Sequence, residues 1–177
     1  MNSPFMSYFH TELSHRGFLT VKFNFDYITN RRKVPDPQPK LQAYYREVVK
    51  EVVAEHKPRR VIIGGKSMGG RVASYIAAGM PEVDGLVFLG YPLHPPGKEN
   101  LLRDEHLYGL NLPILFISGT KDTFARRDLL QAVVQNIGQR ATLIWIEGGD
   151  HSLKIGRRDS SSLTTAAAEI EKWVNGL

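Results

Sequence analysis

The chain has 177 residues, a formal net charge of +5 and no cysteine. Its hydrophobic fraction of 42% and charged fraction of 23% lie close to globular averages, which argues against intrinsic disorder and fibrous repeats. Without cysteine, the chain cannot form disulfides, thiolate metal sites or a cysteine nucleophile, and a reducing cytoplasm is the expected location. This length predicts a single domain over residues 1–177.

Neither a membrane nor a nucleic acid is an expected partner. The longest stretch free of charge and histidine, residues 107–120, is shorter than the roughly 20 residues that span a bilayer. The start of the chain lacks the basic and then apolar pattern of a secretory signal. The basic residues are scattered at 31–33, 57–60, 126–127 and 157–158 and predict solvated loops and helix ends, since nucleic-acid binding would gather them on one surface.

Short apolar runs alternate with segments of helical spacing along the chain. In chain order we predict a helix over 4–16, a strand over 19–25, a helix over 41–56, a strand over 61–63, a helix over 68–80, strands over 86–89 and 114–117, a helix over 126–137, a strand over 143–146 and a helix over 161–174. Uncharged runs bounded by Gly and Pro are typical of strands buried on both faces of a parallel sheet. The pattern predicts a doubly wound α/β three-layer sandwich, whose ligands bind at the carboxyl ends of the strands.

The first polar residue at a predicted strand end is Ser67. Gly65, Ser67 and Gly69 form the pattern G-x-S-x-G between a strand and a helix, which is typical of a nucleophile elbow. Small residues two positions before and after the serine let strand and helix approach. The helix amino terminus would offer the Met68 backbone N–H to a developing oxyanion. The alternative is an incidental glycine turn.

Two further polar residues follow predicted strands. Asp122 could orient a histidine and stabilise its protonated form, or it could cap a helix that begins near Phe124. His151 could take the serine proton, because an unperturbed imidazole titrates near pH 6.5, or it could be a surface loop histidine. His94 is its only competitor among the six histidines. The chain order Ser67, Asp122, His151 agrees with the serine, acid, histidine order of hydrolases with this architecture.

Phosphate, metal and cofactor sites are not expected. A phosphate-binding loop that ends at Ser67 would need a glycine where Arg60 stands, and residues 61–63 are predicted as strand. The histidines show no paired ligand spacing, and the glycines at 64, 65, 69 and 70 do not form a dinucleotide-binding fingerprint. We therefore predict neither a metal nor a cofactor.

Four segments together resemble the α/β-hydrolase family, in particular small dienelactone-hydrolase-like members without a large cap. These are Gly-Gly-Lys-Ser-Met-Gly-Gly-Arg, the loop at 89–97, Ser-Gly-Thr-Lys-Asp and Gly-Asp-His-Ser. The resemblance implies Ser67 as nucleophile, His151 as general base and acid, Asp122 as its orienting carboxylate and the Met68 N–H as an oxyanion donor. The subgroup also resembles a chromatin-complex subunit that acts as a scaffold, which implies an alternative role without hydrolysis.

The start of the chain departs from the family pattern. In the family, a buried strand and a loop that donates the second oxyanion N–H precede the first helix, whereas here that helix opens at the first residues. The family places this strand between those represented here by 19–25 and 61–63, so its absence predicts a gap or an exposed apolar edge at mid-sheet, a direct pairing of the flanking strands, or a second chain in that place. We expect that the natural open reading frame begins upstream of Met1.

The predicted function is hydrolysis of a carboxylic ester or similar small acyl compound through an acyl-enzyme. Residues 92–110 are the only predicted cover, so the cleft should be open, with Tyr91, His94 and Phe124 as candidate substrate contacts or packing residues. Lys66, Arg71 and Lys98 could bind an acidic group or could be solvated surface. The alternatives are a catalytically weak or silent interaction protein and an acyltransferase, and a homodimer is possible.

Overall fold

The computed structural model describes residues 3–156 and 161–177. Its elements, in chain order, are α1 Pro4–His15, α2 Asp26–Thr29, α3 Gln38–His56, β1 Ile62–Lys66, α4 Met68–Ala77, β2 Gly85–Leu89, α5 Glu105–Tyr108, β3 Ile114–Gly119, α6 Arg127–Ile137, a 3₁₀ turn Gly138–Arg140, β4 Ala141–Ile146 and α7 Ser161–Asn175. The arginines at 157–158 that were predicted to be solvated lie outside the described residues.

The four strands form one parallel sheet in the order β1-β2-β3-β4. β2 and β3 are buried along their whole length, as expected of the uncharged apolar runs in the sequence. Parallel strands bring their carboxyl ends to the same edge of the sheet. The residues that follow β1, β2, β3 and β4 therefore meet along one edge.

Helices cover both faces of the sheet. Alternate side chains of β2, such as Leu86 and Phe88, pack with α3, α4, α5 and α6 on one face, whereas Val87 and Leu89 pack with α1 and α7 on the other. The connections from β1 to β2, from β2 to β3 and from β3 to β4 each move to the next strand in the same direction along the sheet. Because such parallel crossovers are right-handed, α4, α5 and α6 lie on the same face. The predicted three-layer α/β sandwich with a parallel sheet is confirmed.

The strand predicted over 19–25 is wrong. These residues contain no strand, and Leu19 and Val21 are 62% and 49% exposed. β1 is therefore an edge strand, because no other strand of the described residues pairs with its outer side. A β-branched apolar run becomes a strand only when a neighbouring backbone satisfies its N–H and C=O groups. The gap predicted from the family pattern thus lies at the edge of the four-stranded sheet rather than inside it.

The other predicted elements are present, with shifted bounds. α3 begins three residues earlier than predicted, since prolines at 37 and 39 suit the first helical turn. α4 ends three residues earlier than predicted, at Ala77. The short helices α2 and α5 were not predicted, and residues 92–110, predicted as a cover, bury Leu93, Leu107 and Leu110 in the core.

Candidate active site

Ser67 lies in the sharp turn between β1 and α4. Its backbone adopts φ 50° and ψ −118°, a positive φ that is rare for a residue with a side chain. The Ser67 N–H donates to the Leu89 carbonyl at 3.1 Å, which fixes the turn against the carboxyl end of β2. Met68 is the first residue of α4, so its N–H belongs to the first-turn amides that have no acceptor within the helix.

Close approach of β1 and α4 depends on Gly65 and Gly70. A Cβ on Gly70 would lie 2.8 Å from the Gly65 carbonyl oxygen and 3.1 Å from the Phe88 ring. A Cβ on Gly69 would meet nothing within 4 Å, so the predicted steric need for glycine at that position is wrong. The tight contact falls one residue later because Gly70 is buried against the strand, whereas Gly69 faces open space.

Asp122 and His151 contact each other directly. Both carboxylate oxygens of Asp122 lie 2.9 Å from His151 Nδ1, and the Asp122 side chain is fully buried while that of His151 is 20% exposed. Asp122 Oδ1 also accepts the Phe124 N–H at 2.8 Å. The alternative that Asp122 caps a helix near Phe124 is wrong, since α6 begins only at Arg127 and has no side-chain cap; the carboxylate instead holds the loop that leads to α6. Because Nδ1 is bonded to Asp122, Nε2 is the ring nitrogen left to accept a proton.

Two loops hold this pair in place. A Cβ on Gly119 would lie 2.2 Å from the Gly149 carbonyl oxygen, so only glycine lets the two loops approach this closely. Asp150 Oδ1 accepts the backbone N–H groups of Ser152 and Lys154, which closes the turn that carries the histidine. Leu153 anchors the same turn with no exposed surface. None of these supports was predicted, and the approach of Gly119 to Gly149 joins residues that are distant in sequence.

His151 and Ser67 both adjoin the end of β2. His151 lies against Gly90. A Cβ added to Gly90 would lie 2.7 Å from the His151 carbonyl oxygen and 3.3 Å from His151 Nδ1. The backbone N–H of Ser67 is bonded to Leu89, the residue before Gly90. The structure describes both Ser67 and His151, and no hydrogen bond joins the Ser67 hydroxyl to the His151 ring. Hydrogen bonds of this kind are often long without substrate and shorten when it binds.

Lys66 connects the serine turn to the histidine loop. Its Nζ donates to Ser152 Oγ at 2.6 Å and lies 4.9 Å from the centre of the Phe5 ring at the start of α1. Burial lowers the pKa of Lys66 below its ordinary value, partly opposed by the negative charge of Asp150. Lys66 is therefore half-buried and bonded, not a solvated surface lysine, and no local pattern in the sequence indicates this contact.

The three candidate substrate contacts have different surroundings. Phe124 packs on the His151 ring with centroids 4.3 Å apart. Tyr91 is 1% exposed and donates to the Arg103 carbonyl at 2.9 Å. His94 is also 1% exposed, with Nδ1 3.0 Å from the Pro95 carbonyl and Nε2 accepting the Arg126 N–H. Tyr91 and His94 are thus both buried and hydrogen-bonded to backbone groups, and contact of these three residues with a substrate stays a prediction.

Two cavities lie beside β1. One of about 420 Å³ is lined by residues 62–65, and a smaller one of about 320 Å³ is lined by residues 64–69. The smaller cavity reaches Ser67 and Met68 and is lined by side chains that the sequence did not single out, including Ser3, Met6, Asn24, Tyr27 and Ile28. They come from the start of α1 and the residue before it, from the end of the segment 19–25, and from α2. Among residues 3–156 and 161–177, no group of three His, Asp or Glu side chains is placed to hold a metal ion, and no helix has the length and apolarity to cross a bilayer.

This chain shares its family and its fold with known proteins. The family model described as "Alpha/beta hydrolase domain" matches residues 1–175. A serine hydrolase without a lid from Xanthomonas campestris has a TM-score of 0.76 and 20% identity, over 98% of this chain and 75% of its own. A putative hydrolase of unknown function from Agrobacterium tumefaciens has a TM-score of 0.78 and 17% identity, over 99% and 77%. A putative dienelactone hydrolase from Klebsiella pneumoniae has a TM-score of 0.65 and 20% identity, over 86% and 67%. At these identities the similarity concerns the fold alone.

Proposed function

Because the chain belongs to the α/β-hydrolase family, we propose that it is a serine hydrolase that cleaves a carboxylic ester or a related small acyl compound through an acyl-enzyme. The observation that carries this proposal is the pairing of Asp122 with His151 Nδ1, after β3 and β4, at the same edge of the sheet as a serine held at positive φ after β1. Packing alone does not require these three residue types at these strand ends.

In the proposed reaction, Ser67 Oγ attacks the acyl carbon while His151 Nε2 takes its proton. Asp122 accepts the hydrogen bond from His151 Nδ1 and stabilises the imidazolium that forms. The Met68 N–H stabilises the negative oxygen of the tetrahedral intermediate, and removal of one such donor typically costs about 100- to 1000-fold in turnover. The imidazolium then gives its proton to the leaving alcohol, and water hydrolyses the acyl-enzyme by the reverse sequence of proton transfers.

The substrate would approach through the cavity next to Ser67. Its lining of Met6, Tyr27 and Ile28 beside Asn24 and Ser3 suits a small acyl group with an apolar body. We also propose a cytoplasmic location, on the grounds of the missing cysteines. The reaction as proposed needs no metal or cofactor.

Covalent labelling of Ser67 tests the proposed function. We expect a fluorophosphonate probe to form one adduct at Ser67, detected by mass spectrometry of the digested protein, and we expect hydrolysis of short-chain p-nitrophenyl esters. Ser67→Ala should lose both, while Ser74→Ala, which changes a buried serine about two helical turns further on, should remain labelled.

A folded protein without an adduct would contradict the proposal and favour the alternative of an interaction protein with a hydrolase fold. An adduct combined with faster acyl transfer to an added alcohol than to water would instead favour an acyltransferase.

A further inference from the structure

Two arginines near the candidate active site have no acidic partner. Arg71 is on α4, one turn after Ser67, and its backbone N–H donates to the Ser67 carbonyl at 3.1 Å. Arg103 lies between β2 and α5. Both arginines are partly exposed, and neither forms an ion pair among the described residues.

A chain of hydrogen bonds joins the two arginines. The Ser74 hydroxyl donates to the Arg71 carbonyl at 2.7 Å and lies 2.8 Å from His106 Nε2. The Tyr91 hydroxyl lies 3.4 Å from the same nitrogen and donates to the Arg103 carbonyl at 2.9 Å. These three side chains therefore hold the two arginine backbones close together. We call the two arginines and the three side chains between them the arginine cluster.

The arginine cluster carries two positive charges and no negative charge. Burial lowers the pKa of His106 to about 4, so its ring is neutral near pH 7. Burial raises the pKa of Tyr91, so its hydroxyl stays protonated. The pKa of Arg103 is lowered by burial and then by the charge of Arg71, as expected of two like charges that lie close together.

The chain itself leaves donors of this cluster unpaired. Asp104 follows Arg103 in the sequence, but its Oδ2 accepts the Tyr108 hydroxyl at 2.5 Å. Arg103 Nη1 donates to the Pro92 carbonyl at 3.3 Å, which does not neutralise its charge. Arg71 Nε is buried and has no hydrogen-bond partner among the described residues. Because buried donors are nearly always paired, this nitrogen points to an acceptor from outside the chain.

The arginine cluster adjoins the residues proposed to react. Long side chains of a helix lean toward its amino end, which for Arg71 is the turn that carries Ser67. Tyr91 directly follows Gly90, where an added Cβ would lie 3.3 Å from His151 Nδ1. The cluster is therefore at the carboxyl end of β2, next to both the serine turn and the histidine loop.

Three basic residues were candidates for binding an acidic group of a substrate. Lys66 is bonded to Ser152, and Lys98 is exposed and therefore solvated. Of the three, Arg71 has a buried donor without a partner. The structure thus favours Arg71 over the two lysines.

We propose that Arg71 and Arg103 bind an oxyanion group of the substrate, so that the ester cleaved at Ser67 carries a carboxylate or a phosphate elsewhere in the molecule. A guanidinium group pairs with either oxyanion through two parallel N–H···O bonds. Partial burial strengthens this attraction, because solvent screens the charges less than at an open surface. The inference rests on the proposed function and adds to it the class of substrate.

Matched esters test this inference. Monoethyl esters of glutarate, adipate and pimelate place a carboxylate at three distances from the ester, and each is compared with an ethyl ester of equal length that ends in a neutral primary amide. The corresponding ω-phosphono esters test for a phosphate. We expect kcat/KM for the best anionic ester to exceed that of its amide by about tenfold or more. Whether the carboxylate or the phosphonate is preferred identifies the natural group.

Glutamine variants locate the site. In Arg71→Gln and in Arg103→Gln, the ratio of kcat/KM for the best anionic ester to that for its amide should fall by about tenfold or more. Arg31→Gln removes the same charge from an exposed residue outside the arginine cluster and should leave the ratio unchanged. Circular dichroism verifies the fold of each variant. If a glutamine variant does not fold, the lysine variant replaces it and should also lower the ratio, because lysine lacks the planar fork.

A binding measurement is independent of turnover. Ser67→Ala cannot form an acyl-enzyme, so isothermal titration calorimetry with this variant reports binding alone. It should bind the best anionic ester about tenfold or more tightly than the amide. Adding Arg71→Gln to Ser67→Ala should remove this difference.

The outcomes separate this inference from the proposed function. Equal hydrolysis of anionic and neutral esters, or a ratio that neither arginine variant changes, would overturn the inference and leave the proposed function intact. No hydrolysis of any ester, with anion binding by Ser67→Ala that requires Arg71, would instead contradict the proposed function and support the oxyanion site. Absence of both hydrolysis and binding in folded protein would overturn both.

Discussion

Ser67 adopts a backbone conformation that its residue type disfavours. A non-glycine residue at positive φ typically costs about 1 to 3 kcal/mol and persists only where the surroundings fix it. Here the Ser67 N–H bond to Leu89 and the start of α4 at Met68 fix the turn from both sides. Such strained residues concentrate at functional sites, which agrees with the proposed role of the hydroxyl.

The contact of Lys66 with the histidine loop can be tested directly by substitution. Its bond to Ser152 ties the last residue of β1 to the turn that carries His151. We expect Lys66→Met to lower kcat for ester hydrolysis about tenfold with little change in KM, because small displacements of a catalytic group have effects of this order or larger. In the proposed reaction, Lys66 would be a positioning residue, since it would act through the histidine loop.

The matched control for Lys66→Met is Lys98→Met, which removes the same charge from an exposed loop residue. Its kinetics should equal those of the unmodified protein. An unchanged kcat in Lys66→Met, or equal losses in both variants, would contradict the positioning role.

At the scale of elements, the contact between β1 and α4 decides where Ser67 lies. Gly70→Ala would place a Cβ 2.8 Å from the Gly65 carbonyl oxygen, so we expect a loss of about 1 to 3 kcal/mol in the free energy of unfolding. Gly69→Ala should be neutral or stabilising by up to about 1 kcal/mol, because alanine is the better helix former and its Cβ meets nothing. Urea denaturation of the two variants measures both values.

Equal stability of these two alanine variants would contradict the packing described for the turn. The comparison is sharp because the two glycines are neighbours in sequence and in the same helix. Only their direction relative to the strand differs.

The segment 19–25 shows the limit of reading elements from composition. Its alternation of Leu19, Val21, Phe23 and Phe25 satisfies a strand pattern, yet Phe23 and Phe25 pack against Tyr45 and its neighbours on α3 while Leu19 and Val21 stay exposed. The residues are held by aromatic contacts and not by a ladder of hydrogen bonds. A strand requires a partner, and the sequence of one segment does not contain its partner.

At the scale of the whole molecule, a half-buried histidine links stability to pH. His106 Nε2 lies 2.8 Å from the Ser74 hydroxyl and its ring stacks on Tyr75 with centroids 4.0 Å apart. Burial lowers the pKa of His106 from 6.5 to about 4, with Arg71 acting in the same direction and Asp104 opposing it. The folded state therefore disfavours the protonated ring.

The sign of the pH effect follows from this shift. Between about pH 4 and 6.5 the unfolded chain binds a proton at His106 that the folded protein does not, so stability is full above about pH 6.5 and falls as the pH falls toward 4. Between pH 7.5 and 5, we expect the free energy of unfolding of His106→Gln to fall by about 1 kcal/mol less than that of the unmodified protein. This value is reduced for solvent screening of the partly exposed ring. Denaturant unfolding at the two pH values measures it. Parallel losses in both proteins would show that other groups dominate the pH dependence.

The fold was largely predictable from the sequence, and the site only in part. Uncharged apolar runs indicate buried strands because a parallel sheet is covered on both faces, so β1 to β4 and their surrounding helices could be located. Ser67, Asp122 and His151 could be singled out because each follows a strand, and the structure brings Asp122 and His151 into contact. Tyr91 and His94 follow a strand as well, but the segment that carries them turns back into the core. No local pattern in the sequence indicates this turn.

The sequence by itself determined the class of fold and the strand ends at which chemistry belongs, because burial and turn formation depend on the residue types of each short segment. Only the tertiary structure decided that Lys66 reaches Ser152, that Gly70 and not Gly69 needs to be small, and that residues 19–25 stand apart from β1. Each of these depends on two segments distant in the chain. Their contact is set by the packing of whole elements, which is a property of the folded molecule.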